Sequence, residues 1–472
     1  MKIFNTLSRH IEEFEPFEPP QVKLYACGPT VYDYAHLGHL RKYTMDDILV
    51  RTLRHNDYQV THVQNVTDVG HLASDADTGE DKIEKGARKY DLDPYALAKK
   101  FEDYFYYSMD LMGNLRPTVI CRATEHIKEM MALVETLEEK GYTYIIENDG
   151  VYFDTSKWQA YGELAGIDVE QLMEGARVEK ISGKKQPTDF ALWKFERPEE
   201  NRAMVWKSKW HERSYPGWHV ECSAMSMKYL GDQIDIHTGG VDHIPIHHTN
   251  EIVQSEAATG KRPFSKYWVH HNFLKVEGEK MSKSLDNFFT IDDVIKKGFS
   301  PIALRLLFLS THYRSEMNFT WQNLAGAHKS WNRLQQLVGE FKQDREKLPG
   351  MSVQAQSYQR QFFKAVNEDL DTPGALAVFW QVAKDGALPQ SEKLQLLLSF
   401  DEIFGLGLAS AKAVKTEIDI ESLPSEVRNL LQQRGEARNN KNFELADQLR
   451  DKIKNLGYGV VDTEEGQEIK KI

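Results

Sequence analysis

The chain has 472 residues, more than one hydrophobic core ordinarily supports, so two to four domains are expected. A composition 41% hydrophobic and 28% charged, with no long apolar run, excludes a membrane-spanning or disordered protein and predicts a soluble one. The formal net charge of −12 excludes a global attraction to nucleic acid, so any RNA contact must come from local basic patches.

Val22 to Ala26 alternates, with Val22, Leu24 and Ala26 on one face, and predicts a strand. Gly28 and Pro29 turn the chain, and from His36 onward Met45, Ile48, Leu49 and Leu53 recur on one helix face. A helix start after a strand and a turn suits an anion. Its free N–H groups favour phosphate, Gly38 has no side chain to keep a nucleotide away, and His36 and His39 can donate to phosphate oxygens. Gln59 to Thr67 reads as the second strand of a βαβ unit. Gly70 to Glu80 is polar and turn-rich; its acids miss the positions of a calcium loop, so it reads as solvated. Tyr90 to Leu137 is mainly helical, with Arg122 to Ile127 opening a helix that packs Met130, Met131 and Leu133, and Cys121 reads as a small core residue.

Gly141 to Pro198 reads as a mixed insertion, with a strand at Gly150–Asp154, a helical stretch ending near Gly175 and a further run at Asp189–Lys194. The sheet pattern resumes at Asp232–His237. Gly239, Gly240 and Asp242 follow at its carboxyl end, either as ATP contacts or as a plain turn. Beyond the run Phe273–Val276 and the turn Glu277-Gly278 stands Lys280-Met-Ser-Lys-Ser284. Ammonium groups on such a loop suit a transition state that builds negative charge on departing pyrophosphate. After Asp286 the pattern is helical almost to the end, over Ser300–Leu309, Trp321–Leu337 and Ser357–Phe404, with a break at Asp371-Thr-Pro373. Thr416–Pro424 reads as a linker and Ser425–Tyr458 as a small helical module whose basic residues alternate with acids, the pattern of a solvated face.

Three cysteines are too few and too dispersed for a disulfide framework. With an amino terminus unlike a secretory or transit peptide, they predict a reducing cytoplasm. Cys222, His247 and Glu251 could join Cys27 around a metal: His247 and Glu251 stand four apart on a helical stretch, and two sulfurs, a nitrogen and an oxygen suit Zn2+. No paired-cysteine spacing announces the site, and buried thiols with a capping histidine remain the alternative.

His36–His39 and Lys280–Ser284 resemble the two signature motifs of class I aminoacyl-tRNA synthetases, in the right order. Within that class the chain resembles the cysteinyl-tRNA synthetases. The resemblance is carried by Leu24–Asp33, Pro216–Met225, His247–Glu256, His312-Tyr-Arg314, Asp369–Pro373, Ala437-Arg438 and Asn442–Asp447, and covers essentially the whole length. It implies an α/β fold, with a Rossmann-like parallel-sheet catalytic domain at 1–115 and 225–310 and a connective insertion at 116–224. A stem-contact and helical-bundle domain at 311–415 and an anticodon-binding module at 416–472 would follow.

The implied activity is ATP-dependent activation of L-cysteine and its transfer to tRNA(Cys), by a cytoplasmic monomer that needs no membrane. By the same resemblance Cys27, Cys222, His247 and Glu251 hold one Zn2+ that recognises the substrate thiol, with His248 a neighbour. Thr30 and Trp218 line the amino-acid pocket. His36, His39, Lys280 and Lys283 stabilise the transition state; Gly38, Gly239, Gly240, Asp242 and Lys283 contact ATP, which Mg2+ accompanies. A ligase joining cysteine to an amino-sugar shares the catalytic half, but Ser425–Tyr458 counts against it. The chain departs from the family at Gly70–Glu80, which looks like an insertion and leaves His71 without a role. It departs again at Thr238, Val241, Thr249, Asp286 and His211–Tyr215, and in a tail without the usual tryptophan-arginine ending.

Overall fold

The computed structural model describes residues 1–70, 81–166, 183–198, 200–281, 287–343, 350–411, 420, 423–463 and 466–471. It divides into two units: Met1–Gln335 with Asp344–Ser410, and Gln336–Gln343 with Ala411–Ile472.

The first unit opens on a hairpin of β1 (Lys2–Asn5) and β2 (His10–Glu13). The main sheet begins with β3 (Gln21–Ala26), crosses through helix α1 (Leu37–His55) to β4 (Gln59–Val66), and through α2 (Lys82–Tyr90) and α3 (Pro94–Leu111) to β5 (Val119–Arg122). A 3₁₀ turn leads to α4 (Ile127–Glu139). Four antiparallel strands then form an inserted sheet: β6 (Thr143–Ile146), β7 (Gly150–Phe153), β8 (Phe190–Phe195) and β9 (Ser214–Pro216). Helix α5 (Trp218–Leu230) returns the chain to β10 (Ile234–Gly240), and α6 (Thr249–Thr259) connects that strand to β11 (Ser265–His271).

The five main strands pair in parallel in the order β11-β10-β3-β4-β5. Strand order therefore reverses between β3 and β10, and in an open parallel sheet the crevice beyond the carboxyl ends at that reversal is where ligands bind. Cys27, Gly239 and Gly240 stand there. One core runs from the sheet into the insertion, joining Tyr25, Val63 and Trp268 to Val151, Phe153 and Trp193.

Beyond β11, β12 (Leu274–Val276) and β13 (Glu279–Lys280) form a hairpin. Helices α7 (Ile291–Lys296) and α8 (Pro301–Leu309) follow, and β14 (Met317–Phe319) pairs in parallel with β12. Then come α9 (Trp321–Phe341), α10 (Val353–Asn367), α11 (Thr372–Lys384) and α12 (Gln390–Phe404). The second unit holds α13 (Ser425–Asn439), α14 (Phe443–Asn455) and a hairpin, β15 (Tyr458–Thr463) with β16 (Gly466–Lys471). Its apolar core gathers Leu423, Val427, Leu431, Ile453 and Ile469.

Several expectations are corrected here. The strand β5 lies inside the span 116–224 expected for the insertion, yet belongs to the main sheet. The helix expected to open at Arg122 begins at Ile127, because Val119–Arg122 is recruited as a sheet edge; Met130, Met131 and Leu133 pack as expected, joined by Val134 and Leu137. The pattern after Asp286 is not helical throughout: β14 and the terminal hairpin interrupt it. His247 lies in a π-helical turn, Ile244–His248, and α6 starts only at Thr249. The helical stretch expected to end near Gly175 and the loop with His71 lie outside the described residues.

Candidate active site and metal centre

The turn after β3 is built by glycine at one position where nothing else fits. A Cβ on Gly28 would stand 1.6 Å from the Asn65 carbonyl oxygen, while the Gly28 N–H donates to Asn65 Oδ1 at 2.7 Å. The close approach of β3 and β4 turns the chain inward and delivers Cys27 to the crevice, where its carbonyl accepts from Lys42 Nζ at 2.8 Å and Tyr43 Oη at 3.2 Å.

Helix α1 is capped by a histidine. His36 Nδ1 accepts from the N–H groups of Gly38 (3.1 Å) and His39 (3.4 Å), and His39 Nδ1 accepts from the His36 N–H at 3.3 Å. With both Nδ1 atoms occupied as acceptors, each neutral ring carries its proton on Nε2. The rings stack with centroids 3.8 Å apart, so two N–H donors stand side by side at a helix N-terminus. Burial drives the His36 imidazole down to about 4, against its own backbone hydrogen bond and the nearby Asp242 charge, which favour the cation. The ring is thus neutral at pH 7. Gly38 is needed because a Cβ would meet the His36 ring at 2.9 Å. Its small size serves the cap before it serves any nucleotide.

The chain that follows the second signature stretch comes to this helix start. Residues 282–286, Lys283 among them, lie outside the described residues, but both flanks are placed: Asn287 Nδ2 donates to the Lys280 carbonyl at 3.2 Å. The chain beyond then crosses α1, with the Leu37 N–H on the Phe289 carbonyl at 2.9 Å and Phe288 edge-on to His36 at 5.2 Å. Lys280 itself is exposed.

The four residues singled out as metal ligands converge and are buried. Cys27 Sγ stands 4.0 Å from Cys222 Sγ and 3.7 Å from His247 Nε2, and His247 Nε2 stands 3.0 Å from Glu251 Oε1. Around tetrahedral Zn2+, with Zn–S of about 2.3 Å, two sulfurs lie roughly 3.7–3.8 Å apart, so the opening has the right size. Glu251 Oε1 has the His247 ring as its charged neighbour, while His248 Nε2 is buried without a hydrogen-bond partner, an expensive arrangement that a cation could relieve. The Cys27 thiol is held well below its usual range, first by a hydrogen bond from Cys222 and then, against burial, by His243 and His247; Cys222 is correspondingly raised. Burial alone would lower His247, but the charges of Glu251 and Cys27 outweigh it and push the ring up to about 10. A proton there compensates two anions, the position a metal ion would take over.

Histidines that the ligand pattern did not single out form the next layer. His237 Nε2 bonds Glu251 Oε2 at 2.9 Å, His219 Nδ1 meets His247 Nδ1 at 3.0 Å, and His248 Nδ1 meets His270 Nε2 at 2.8 Å. Such partners fix ring orientation around a metal. The density of histidine over 237–248 was the available signal for His237 and His248, while His219 and His270 lie outside that run. His248 also falls within ligand distance of Cys27 and His247. Trp218 stacks on His247, ring centroids 4.3 Å apart, and Thr30 bridges to Thr67 at the mouth of the crevice. Gly239 has a packing reason of its own: a Cβ would meet the His248 ring at 2.4 Å and His243 at 2.9 Å. Gly240 ends β10, and Asp242 sits in the turn that follows.

Comparison with known proteins meets this geometry. Residues 13–329 match the model of the tRNA synthetases class I (C) catalytic domain, and residues 421–469 that of the cysteinyl-tRNA ligase anticodon binding domain. The cysteine–tRNA ligase of Treponema denticola is 43% identical over 97% of this chain and 96% of its own length. Cysteine–tRNA ligase 1 of Burkholderia lata is 44% identical over 99% and 96%.

The chain belongs to the cysteine–tRNA ligase family.

Among solved structures, Mycobacterium tuberculosis methionyl-tRNA synthetase with methionyl-adenylate aligns over 90% of this chain and 96% of its own, TM-score 0.56, at 14% identity. A leucyl enzyme of Agrobacterium radiobacter in a ternary complex aligns over 85% and 87%, TM-score 0.58, at 13% identity. At that identity the likeness is one of fold. This chain thus shares a fold with those enzymes, and among its described residues no helix is long and apolar enough to cross a membrane.

Proposed function

We propose that this chain activates L-cysteine with ATP and transfers the cysteinyl group to the 3′ end of tRNA(Cys). The observation that carries the reading is the joint placement of two kinds of chemistry: paired Nε2–H donors at the α1 start, and a buried two-sulfur, one-nitrogen, one-oxygen cluster at the same sheet reversal.

In the first step a substrate carboxylate oxygen attacks the α-phosphorus of ATP, forming the mixed anhydride as the bond to pyrophosphate breaks. No protein nucleophile is required. His36 and His39 donate to the phosphate oxygens as negative charge builds; with them Lys283 stabilises the α-phosphate and the departing pyrophosphate, accompanied by Mg2+, and Lys280 assists. Gly38, Gly239, Gly240 and Asp242 receive the nucleotide. Thr30 and Trp218 line the amino-acid pocket, where Trp218 already leans on His247. Cys27, Cys222, His247 and Glu251 hold Zn2+, whose affinity for thiolate over hydroxyl supplies discrimination against serine without editing. In the second step the terminal ribose hydroxyl attacks the carbonyl carbon and AMP leaves. Residues 1–115 with 225–310, joined by β5 and by Trp218 and Cys222 of α5, carry the activation, and 416–472 the anticodon contact, in a cytoplasmic monomer.

The test incubates the chain with ATP, labelled cysteine and total tRNA. Cysteine-dependent pyrophosphate exchange together with acid-precipitable label is expected; exchange without label would favour the amino-sugar ligase, and no exchange would remove both. Cys222→Ser should lose bound zinc and raise the KM for cysteine together, by about 10- to 100-fold. Unchanged values would end the account of specificity.

A further inference from the structure

Two stretches, His312-Tyr-Arg314 and Asp369–Pro373, take no part in the chemistry above, yet they meet at a backbone of unusual conformation in the helical half. Asp369 and Leu370 are consecutive non-glycine residues in the left-handed region, at φ 55 and 53. Strain of that kind persists only where the surroundings over-determine it. Here every polar group of Asp369 is in use. Its buried carboxylate accepts from the Phe4 N–H (2.8 Å), Tyr313 Oη (2.6 Å) and Arg314 Nε and Nη2 (2.7 and 2.6 Å). Its carbonyl accepts from His312 Nε2 at 2.8 Å, and its N–H donates to the Lys2 carbonyl at 3.1 Å.

The loop gripped by Asp369 is gripped from its other side by Arg41, two residues beyond His39 on α1. This guanidinium is buried, has no ion pair among the described residues, and burial lowers it to about 10. It donates to four carbonyl oxygens on two separate segments: Asn272 and Phe273 (2.9 and 3.1 Å), and His312 and Ser315 (3.0 and 2.8 Å). Those segments are stitched to each other through Asn272 N–H to Tyr313 O (2.9 Å) and Met317 N–H to Phe273 O (3.0 Å). The first continues directly as β12 and the lysine-bearing β13, and the second as β14, on which β12 is hung.

We propose that Asp369 and Arg41 form a clamp that positions the Lys280 hairpin relative to His36 and His39. Both are positioning residues, acting through the 312–315 loop. The inference rests on the adenylate-forming reading. A planar fork is needed because only a guanidinium can reach four carbonyls on two segments at once, and a charged carboxylate because four donors converge on it.

The test uses the full chain with Asp369→Asn. Asparagine tolerates the left-handed conformation, so the backbone is kept while the charge is removed. Pyrophosphate exchange should lose about 10- to 100-fold in kcat, as misplacement of a reacting group by an ångström does. The KM for cysteine should stay within about twofold and bound metal should be unchanged. Hydrogen–deuterium exchange should rise in 272–281 and 312–319 and stay level in 21–27. Tyr313→Phe, which removes one donor, should move the same readouts less; if Asp369→Asn does not fold, this variant decides on its own. Unchanged kcat, or a loss of kcat without faster exchange over 272–281, or one accompanied by lost metal, overturns the clamp. Absence of cysteine-dependent pyrophosphate exchange in the unmutated chain would instead sink the parent reading, while the deuterium measurement would still report the clamp.

Discussion

His36 performs two tasks with one ring. Nδ1 satisfies the orphan N–H groups of the first helical turn, and that commitment leaves Nε2 as a donor facing the crevice. Replacing it with alanine should therefore cost both cap and donor: about 1 kcal/mol of stability and roughly 10²–10³ in the kcat of pyrophosphate exchange, read by urea denaturation and single-turnover kinetics. A variant that loses only stability would show that the ring does not touch phosphate. Asp68 makes a prediction of a different kind. Desolvation raises its carboxyl to about 6, against hydrogen bonds from Thr124. A folded-state value above the unfolded one means a contribution present below pH 4 and lost as pH rises through 6. Asp68→Asn should thus be the more stable protein at pH 8, by up to about 3 kcal/mol from a shift of about two units, with the difference closing by pH 4. A gap that persists at pH 4 would show that the amide acts through contacts instead of charge.

At the scale of elements, the strands and helices that frame the crevice were legible because each carries its own local signal. Alternation marks Val22–Ala26, β-branched residues mark Gln59–Val66, a turn of Gly28-Pro29 separates strand from helix, and three-to-four spacing marks the inner face of α1. The signature motifs sit on those elements, so His36, Cys27 and Gly38 could be read in advance. What could not be read is whatever depends on a distant partner. Strand β14 is three residues long and exists because β12 lies beside it, and β5 is a strand because β4 offers an edge. The terminal hairpin is largely polar, so its alternation carries little signal. The same holds for Arg305, invisible as a charge inside an apolar helix. It is fully buried and ties α1 to the bundle through Asp47, the carbonyls of Met112 and Phe404, and Asn114. Arg305→Met should leave Asp47 with Arg51 and the Leu115 N–H and cost about 3–5 kcal/mol, visible as a lower urea midpoint. A loss below 1 kcal/mol would mean the node is dispensable.

For the whole molecule, the division into two units separates the adenylate chemistry from the matched anticodon-binding segment. A chain ended after Ser410 should keep cysteine-dependent pyrophosphate exchange and lose most tRNA charging; loss of exchange would show that activation needs the second unit. Within the first unit, a single core spans the sheet and the inserted strands, and both thiols belong to it. The four candidate ligands are spread along the chain from Cys27 to Glu251, with the whole inserted sheet between the two sulfurs. During synthesis the ribosome must therefore release more than half of the polypeptide before a full coordination set exists. Until residue 222 is made, a nascent chain can offer an ion only Cys27 of these four, and capture of the cation becomes a late step that reports the catalytic half as finished.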